Sequence, residues 1–402
     1  MDPESLTTEH PLAGITVLDF GQIYNGPYCG HLMAMAGARV IKVENPDGET
    51  LRNSHAWSGE GYPFKALNGN KETITLNFKH PEGQRLLKEA IRNVDVLIEN
   101  FRPGTMAKYG VGSEVLTDIN PRLIYAAGTG YGQNGPHADY LAMDITVQAM
   151  SGVVSVTGHE GDPPLKSGPA ICDMLGGVHL YGAITTALYR REKTGLGAVL
   201  DIAMQDAVIP TLCSAIGAFY KSGNNPPRTG NHHQARAIAP YNIYPTNDGH
   251  VAIICIREGH WQKLTSAMER PELLEDDQFE DMGKRSQNME RTDAVVQEWT
   301  QERSTQEVFA TCQEFGVPCS PVQTLSDVLN DPHLLQRGML KEVTGPDSRP
   351  MTLFGTPIQF EDIRPPNPAM PRKLGQDNES VYGELLGLSQ QEVAKCRRTG
   401  VL

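Results

Sequence analysis

Short apolar runs alternate with helix-like stretches along the first half of the chain. The run at 15–20 is followed by a turn-forming segment at 21–27, a helical stretch of small residues at 28–36 and a second run at 39–44. Two runs of strand length separated by a helical segment are typical of parallel strands joined by a right-handed crossover. This stretch is therefore predicted to form a strand–helix–strand unit.

The same alternation continues through the next part of the chain. Further strands are predicted at 72–77, 95–99, 122–126 and 198–202, and further helices at 81–94 and 174–191. Strands that alternate with helices favour an α/β fold in which helices cover both faces of a parallel sheet.

After Val208 the pattern changes. Residues 223–230 are rich in Gly, Asn and Pro, which interrupt regular structure, and we interpret this segment as a linker. Beyond it, a strand is predicted at 250–256 and amphipathic helices at 261–268 and 291–302. The pattern thus indicates a second, smaller unit, and a chain of 402 residues is long enough for two domains.

The composition narrows the possible functions. The chain has 35 Lys and Arg against 48 Asp and Glu, a net charge of −13, and no basic block, which argues against sequence-independent nucleic-acid binding. Its seven cysteines contain no C-x-x-C pair, a usage typical of a reducing compartment. Neither an apolar leader at 1–11 nor a stretch of about 18 apolar residues occurs. We therefore expect a cytoplasmic protein that does not insert into a membrane.

Two further features could indicate a nicotinamide site and a metal site. The spacing of the residues supports neither of them. Glu44 ends the second predicted strand, as the acidic residue of dinucleotide-binding folds does, but the preceding turn lacks the G-x-G-x-x-G pattern, so nicotinamide binding is disfavoured. The adjacent pair His232 and His233 is a poor metal site, because helical ligands recur at i and i+4. A loop position near a ligand or a plain surface pair fits as well, and we expect no metal.

Asp173 directly precedes the long predicted helix. As the N-cap residue it could be a plain structural cap, since Asp is among the preferred capping residues. A helix N-terminus also favours an ionised carboxylate, which is a nucleophile, and Gly176 and Gly177 would let a bulky group approach the backbone. The spacing alone favours the structural role.

Several motifs occur together in the order of one known family. They lie at 11–20, 37–44, 70–71, 99–104, 130–136, 168–173 and 190–195. From end to end the chain resembles the class III CoA-transferases of the CaiB/BaiF family, which include formyl-CoA transferase and the carnitine and bile-acid CoA-transferases. The resemblance implies an acyl-CoA:carboxylate CoA-transferase that uses a CoA thioester and a small carboxylic acid and holds no permanent cofactor.

For Asp173 the resemblance implies the role of acyl-accepting carboxylate. It would attack the donor thioester to give a mixed anhydride and CoA thiolate, and the thiolate would then form an aspartyl-CoA thioester and release the donor acid. An acceptor carboxylate would reverse both steps. Covalent steps divide one slow exchange into easier ones, and backbone N–H groups can stabilise each oxyanion.

The resemblance also implies contacts to CoA. The matching positions are Leu76, Lys79, Asn100, Phe101 and Lys108. Each has a plainer alternative, since a lysine can be a solvated surface residue and an apolar side chain can be part of the core.

A second chemistry of the family is the racemisation of 2-methylacyl-CoA esters by a His and an Asp that act as proton carriers. Met143 occupies the histidine position here, and a thioether cannot carry a proton. A transferase is therefore preferred, with a racemase or isomerase as the alternative. Asp144 matches an acidic position of the family and could orient the site or cap a helix, and the structural role is preferred.

Departures from formyl-CoA transferase leave the acyl substrate open. Tyr24 and Leu141 stand where that enzyme has a glutamine and a lysine, and its tetraglycine loop is missing. In the corresponding stretch, Arg257 and His260 could bind the far carboxylate of a dicarboxylic acid such as oxalate or succinate. We therefore expect a small dicarboxylic acid as donor or acceptor.

The fold implied by the resemblance is a Rossmann-like large domain with a smaller α+β domain and two linkers. Two chains are expected to thread through each other as an interlocked, ring-like homodimer. On this chain we expect the large domain at 1–209, a linker at 210–229, the small domain at 230–325, and a second linker with a return to the large domain at 326–402.

Overall fold

The computed structural model describes residues 10–53, 60–345 and 349–402. The chain folds into two compact units. The first comprises Met1–Gln148, Pro169–Val208 and Asp331–Leu402, and the second comprises Ala149–Gly168 and Ile209–Asn330.

The regular elements alternate as the sequence predicts. The strands are β1 (Thr16–Asp19), β2 (Arg39–Glu44), β3 (Glu72–Thr75), β4 (Val96–Glu99), β5 (Ile124–Thr129), β6 (Ala198–Ala203), β7 (Tyr241–Pro245), β8 (His250–Ile254), β9 (Cys319–Pro321), β10 (Leu340–Thr344) and β11 (Pro350–Phe354). The helices are α1 (Asn25–Met35), α2 (Tyr62–Asn68), α3 (Pro81–Ala90), α4 (Thr105–Lys108), α5 (Ser113–Ile119), α6 (Asp144–Met150), α7 (Ile171–Thr194), α8 (Met204–Val208), α9 (Cys213–Ser222), α10 (Glu258–Ala267), α11 (Met282–Gln287), α12 (Met289–Gln301), α13 (Thr305–Phe315), α14 (Leu325–Leu329), α15 (Pro332–Gln336), α16 (Asn378–Leu386) and α17 (Gln390–Arg398).

A six-stranded parallel sheet forms the centre of the first unit. Its strand order is β3-β2-β1-β4-β5-β6, and every neighbouring pair runs parallel. The chain order reverses between β1 and β4. The crevice outside the carboxyl ends of these two strands is the switch point at which α/β folds bind ligands.

Alternate strand residues pack on opposite faces of this sheet. Val17 and Val96 belong to a buried cluster that includes residues of α1 and α7, whereas their neighbours Leu18 and Leu97 belong to one that includes residues of α3 and α16. Because successive side chains of a strand point to opposite faces, near-continuous apolar runs indicate burial on both sides. The predicted α/β class with a central parallel sheet is confirmed.

Buried ion pairs anchor the carboxyl ends of β1 and β2, and one of them joins β1 to the residue before β3. Lys71 Nζ lies 2.7 Å from Asp19 Oδ2, and neither side chain is exposed. Gly30 makes room for this pair, since a Cβ there would lie 2.5 Å from Asp19 Oδ2. Arg52 contacts both carboxylate oxygens of Glu44, at 2.7 and 2.9 Å. Removing one partner of a buried pair typically costs about 3–5 kcal/mol, so these pairs hold the loops that follow the strands.

The second unit has its own sheet and core. Strands β7, β8 and β9 form an antiparallel sheet in that order, and buried aromatic side chains of Trp261, Phe279 and Trp299 lie in its core. Helix α13 begins with a capping box, in which Ser304 and Glu307 each accept a hydrogen bond from the other's backbone N–H.

Two predicted boundaries differ from these units. The predicted linker 210–229 contains the helix α9, which belongs to the second unit and ends at Gly223 with a φ of 72°. The linker-like composition begins only at that glycine. The segment Ala149–Gly168, predicted as part of the large domain, also belongs to the second unit.

Helix α7 is long and apolar enough to cross a membrane, and it is the only such helix in the described ranges. Within the first unit it contacts α1, β5 and β6. Its apolar character is therefore explained by packing against the sheet.

Candidate active site

A pocket of about 200 Å³ lies outside the carboxyl ends of β1, β4 and β5, at the switch point of the sheet. Its walls come from the loops after these strands, the segment before α6 and the first turn of α7, all in the first unit. The lining residues are Gln22, Ile23, Asn25, Asn100, Phe101, Arg102, Pro103, Gly128, Thr129, Gly130, Tyr131, Ala138, Tyr140, Leu141, Ala142, Met143, Asp173 and Met204.

Asp173 enters this pocket from the first turn of α7, not from its N-cap. The N-cap residue is Ala170 and the helix begins at Ile171, so the predicted capping position of Asp173 is wrong. The capping contact comes from Asp144, whose Oδ1 accepts hydrogen bonds from the backbone N–H groups of Cys172 at 2.9 Å and Asp173 at 3.2 Å. Asp144 therefore has the structural role that the sequence favours, and Asp173 directs its carboxylate to the pocket.

The pKa of Asp173 is raised to about 7. Burial is the main cause, because the residue is only 9% exposed, and the charge of Asp144 is the second. The helix start therefore does not lower the pKa of Asp173 as the sequence suggests, since Asp144 accepts the N–H groups that would stabilise the anion. A buried carboxyl with a pKa near 7 is typical of a functional site.

The loop after β1 forms a pocket wall with a strained backbone. Ile23 has a φ of 64°, which β-branched residues rarely adopt. Asn100 exchanges two hydrogen bonds of 2.8 Å with the backbone of Gln22. Glu49 Oε2 accepts one from the Ile23 N–H at 3.2 Å, and Lys42 donates one to the Gly21 carbonyl. Such strain persists only where the surroundings hold it, and it is common at active sites.

Gly176 and Gly177 admit a neighbouring helix. A Cβ at Gly176 would overlap with Asn25 Nδ2, and a Cβ at Gly177 would lie 2.8 Å from Asn25 O and 3.2 Å from the Tyr28 side chain. Because Asn25 and Tyr28 belong to α1, the glycines allow α1 to pack against α7. The expectation that they face a bulky ligand is wrong.

Tyr24, the N-cap residue of α1, lies near the two carboxylates. Its pKa is raised by burial and then by the charges of Asp173 and Asp144. The structure thus brings together three residues that the sequence assigns to the acyl site.

The outer wall of the pocket is apolar. Leu141 and Met143 both line it and are 79% and 57% exposed. Neither side chain can carry a proton. The position before Asp144 therefore supplies an apolar surface to the pocket.

The predicted CoA contacts fall into two groups. Asn100 and Phe101 line the pocket. Leu76 is 3% exposed and belongs to the hydrophobic core, and Lys79 and Lys108 are exposed residues outside the lining. The assignment of these five residues to CoA stays a prediction.

Two other predicted residues lie in the second unit. Arg257 is the exposed N-cap residue of α10, and His260 lies in the first turn of that helix. Their assignment to the acyl pocket stays a prediction.

The second unit also contains the histidine pair. His232 Nε2 lies 2.6 Å from Asp293 Oδ2, so this histidine binds a carboxylate of the protein. Within the described ranges, no group of three His, Cys, Asp or Glu side chains could hold a metal ion.

Glu44 is not available for a nucleotide ribose. Its side chain is fully buried and paired with Arg52, and its Oε2 also accepts a hydrogen bond from the Glu49 N–H at 3.2 Å. The position that resembles the acidic residue of dinucleotide-binding folds is therefore part of the buried ion-pair system.

Some lining residues carry no sequence signal of their own. Gln22 and Asn25 lie in a turn whose one recognisable property is the absent glycine pattern, and Met204 follows β6 without any motif. Arg102 lies inside the motif at 99–104 and could have been found from it. For Gln22, Asn25 and Met204 the surrounding segments could be placed from the sequence, whereas the entry of their side chains into the pocket could not.

Comparisons with known proteins agree with this architecture. The model of the family described as CoA-transferase family III matches residues 12–378. A crystal structure of a CAIB/BAIF family protein from Brucella suis superposes with a TM-score of 0.82 at 33% identity, over 94% of this chain and 100% of that one.

Two curated relatives have related names. A succinyl-CoA–D-citramalate CoA-transferase of Chloroflexus aurantiacus is 33% identical over 98% of each chain. A succinyl-CoA:mesaconate CoA-transferase of Haloarcula marismortui is 34% identical over 88% of this chain and 91% of its own. The chain therefore belongs to CoA-transferase family III and is a class III CoA-transferase.

Proposed function

We propose that this enzyme transfers CoA between small carboxylic acids, at least one of them dicarboxylic, and that Asp173 is the carboxylate that accepts the acyl group. The observation that carries the proposal is the position of Asp173. Its carboxyl, with a pKa of about 7, lies in a pocket at the switch point of the sheet. Near neutral pH a substantial fraction is the nucleophilic carboxylate.

The proposed reaction needs no external proton carrier. A carboxylate oxygen of Asp173 attacks the thioester carbon, the C–S bond breaks, and CoA leaves as a thiolate beside the mixed anhydride. The thiolate attacks Cγ of Asp173, the bond from Cγ to the bridging oxygen breaks, and the donor acid leaves as a carboxylate. The acceptor carboxylate then attacks Cγ and displaces the thiolate, which attacks the acceptor's acyl carbon and releases Asp173.

The names of the relatives support a dicarboxylic substrate. Succinate, citramalate and mesaconate each carry two carboxylates. These acids occur in the names of enzymes that are about one third identical to this chain. Arg257 and His260 are our candidates for the second carboxylate, since a guanidinium can hold a carboxylate through two parallel hydrogen bonds. Tyr24 and Asp144 complete the proposed acyl site beside Asp173.

CoA is proposed to bind along the loop after β4. Asn100 and Phe101 line the pocket there, but the Asn100 amide is already bound to Gln22. Asn100 would then act mainly by holding the pocket wall. Lys79 and Lys108, both exposed, would meet phosphate groups, and Leu76 would contribute through its backbone because its side chain is buried.

The main experiment is covalent trapping. We expect hydroxylamine added during turnover of succinyl-CoA to convert Asp173 into a hydroxamate, detected by peptide mass spectrometry, and the Asp173→Asn variant to give no label and no transfer. Absence of the label from an active wild-type enzyme would contradict the role of Asp173. Solvent deuterium entering the α position of an acyl-CoA, without transfer, would instead support the racemase.

The substrate proposal needs its own measurement. Transfer from succinyl-CoA or acetyl-CoA to a panel of monocarboxylic and dicarboxylic acids should favour the dicarboxylic acids, and Arg257→Ala should lose this preference while keeping transfer to monocarboxylic acids. Equal use of both classes, or a preference that Arg257→Ala retains, would contradict it.

We also propose the homodimer and the cytoplasmic location that the sequence predicts. Large side chains on α7 and the edge strand β6 support an association surface, since Tyr189 is 65% and Val199 57% exposed. The scattered cysteines without a C-x-x-C pair are the sequence feature that supports the cytoplasmic location. Sedimentation should give twice the chain mass of 44.0 kDa at micromolar concentration, and a monomer would contradict the proposal.

A further inference from the structure

Asn25 is a deeply buried polar residue without a partner in the described part of the chain. The residue is only 1% exposed, and neither Nδ2 nor Oδ1 of its side chain has a hydrogen-bond partner among the described residues. Asn378 is buried to the same 1%, but its Oδ1 accepts from the Thr75 N–H and its Nδ2 donates to Thr75 Oγ1, both at 2.8 Å. The unmet amide is therefore a property of Asn25 and not of buried asparagines in this fold.

The surroundings of Asn25 place its amide in the pocket wall. The residue lines the pocket as the first residue of α1. Gly128 and Gly176 both make room for the side chain: a Cβ at Gly128 would lie 2.6 Å from Oδ1, and a Cβ at Gly176 would overlap with Nδ2. The two glycines thus leave the space that the amide occupies, with Oδ1 toward Gly128 and Nδ2 toward Gly176.

Nδ2 packs on the same helix that carries Asp173, and both residues line the pocket. Gly176 lies three residues after Asp173 in α7, and residues three apart share one face of a helix. The amide nitrogen therefore packs about one turn along α7 from Asp173, on the face of the helix that carries it.

Burying an amide without a hydrogen bond destabilises a fold, so such a group is expected to find its partner in a ligand or intermediate. Within the proposed reaction, the oxygen on Cγ of Asp173 is the acceptor that becomes strongest, because it turns into an oxyanion when the thiolate or the acceptor acid attacks. A donor already fixed in place stabilises that charge without reorganisation.

We propose that Asn25 is a catalytic residue whose Nδ2 donates a hydrogen bond to the oxyanion that forms at Cγ of Asp173. The inference rests on the proposed function, since it needs the covalent intermediates on Asp173. Asn25 supplies no proton and breaks no bond. It lowers the barrier of each attack at Cγ and gives the same donor to the reverse reaction.

The test compares kcat, the rate of hydroxylamine labelling at Asp173 and thermal stability for Asn25→Ala, Asn25→Ser and the control Asn378→Ala, with succinyl-CoA and succinate as probes. Loss of one oxyanion donor typically lowers kcat by about 10²–10³-fold. We expect that loss in Asn25→Ala with the melting temperature unchanged or raised, and a smaller loss in Asn25→Ser, which retains a donor. Asn378→Ala should lower the melting temperature and leave kcat of the folded enzyme unchanged.

Two results would overturn the inference. One is a kcat and a labelling rate of Asn25→Ala that equal those of the wild type. The other is a melting temperature of Asn25→Ala that falls as much as that of Asn378→Ala, together with a kcat of Asn25→Ser that does not recover. That result would mean that the amide binds a structural water. If the wild-type enzyme itself gives no label on Asp173, the proposed function fails first, and the two failures are thereby distinguished.

Discussion

Replacing Asp173 by Asn should make the protein more stable and less active at the same time. The carboxyl group is buried with a pKa of about 7, against an ordinary value of 3.8. Between these values the folded state binds more protons than the unfolded state, so stability falls as the pH rises from about 3.8 through 7. Asn resembles the protonated carboxyl in shape and does not ionise, and it therefore avoids this loss.

The size of the effect follows from the same two pKa values. A difference from 3.8 to about 7 corresponds to about 4 kcal/mol at roughly 1.4 kcal/mol per pH unit. We expect Asp173→Asn to be more stable than the wild type by about this amount at pH 8, by about 2 kcal/mol near pH 5.5, and by almost nothing below pH 4. For 402 residues that unfold in one transition, the shift in melting temperature at pH 8 is about 5 °C.

The assay is thermal unfolding of both proteins from pH 4 to pH 9, at one protein concentration. The control is Asp19→Asn, since Asp19 is also buried but is paired with Lys71. Its loss leaves a buried cation unpaired and should destabilise the fold by about 3–5 kcal/mol. A stability difference between Asp173→Asn and wild type that does not grow with pH, or that has the opposite sign at pH 8, would refute the raised pKa.

Three further substitutions test the surroundings of Asp173. Asp144→Asn keeps an acceptor for the start of α7 but removes the charge, so the acidic limb of the kcat/KM profile should move to lower pH; an unmoved limb would mean that the charge has no influence. Asn100→Ala removes both hydrogen bonds to Gln22 and should lower the free energy of unfolding by about 1–3 kcal/mol and raise KM for the thioester; unchanged values would show that the loop holds itself. Gly176→Ala should destabilise by about 1–3 kcal/mol through overlap with Asn25, measured by urea unfolding, whereas Gly182→Ala in the same helix, with open space around it, should be neutral or stabilising.

The sheet could be predicted because its sequence signal is local. Strand β2 has the predicted bounds, Arg39–Glu44, and the other strands of the first sheet fall within a few residues of the predicted runs. Burial on both faces requires near-continuous apolar residues, and this pattern is visible without the fold. The helix α9 was assigned to the linker because its ten residues lie directly before the Gly- and Pro-rich stretch. The composition of a window that spans both segments does not distinguish them.

The sequence named Asp173 as a candidate residue of the site, but it did not indicate the contacts that Asp173 makes. Tyr24 and Asp144 lie close enough to Asp173 for their charges to interact with it, and their roles stay predictions. The start of α7 was misplaced by three residues because the capping side chain comes from Asp144, 29 residues earlier in the chain. A cap supplied from so far away leaves no trace in the local sequence, and neither does the packing of Asn25 between two glycines.

The division of roles between the two aspartates explains why the carboxylate that we propose to accept the acyl group is not itself the cap. A carboxylate that accepts the N–H groups at a helix start is stabilised as an anion and becomes a weaker base. Asp144 makes those hydrogen bonds, and its charge together with burial raises the pKa of Asp173 to about 7. Basicity and nucleophilic strength rise together, so in the proposed reaction the desolvated Asp173 would attack a thioester better than an ordinary carboxylate. In the proposed last step the same carboxylate must leave the acyl group again. A pKa near the working pH allows Asp173 to act both as nucleophile and as leaving group, which a reversible exchange between two acids needs.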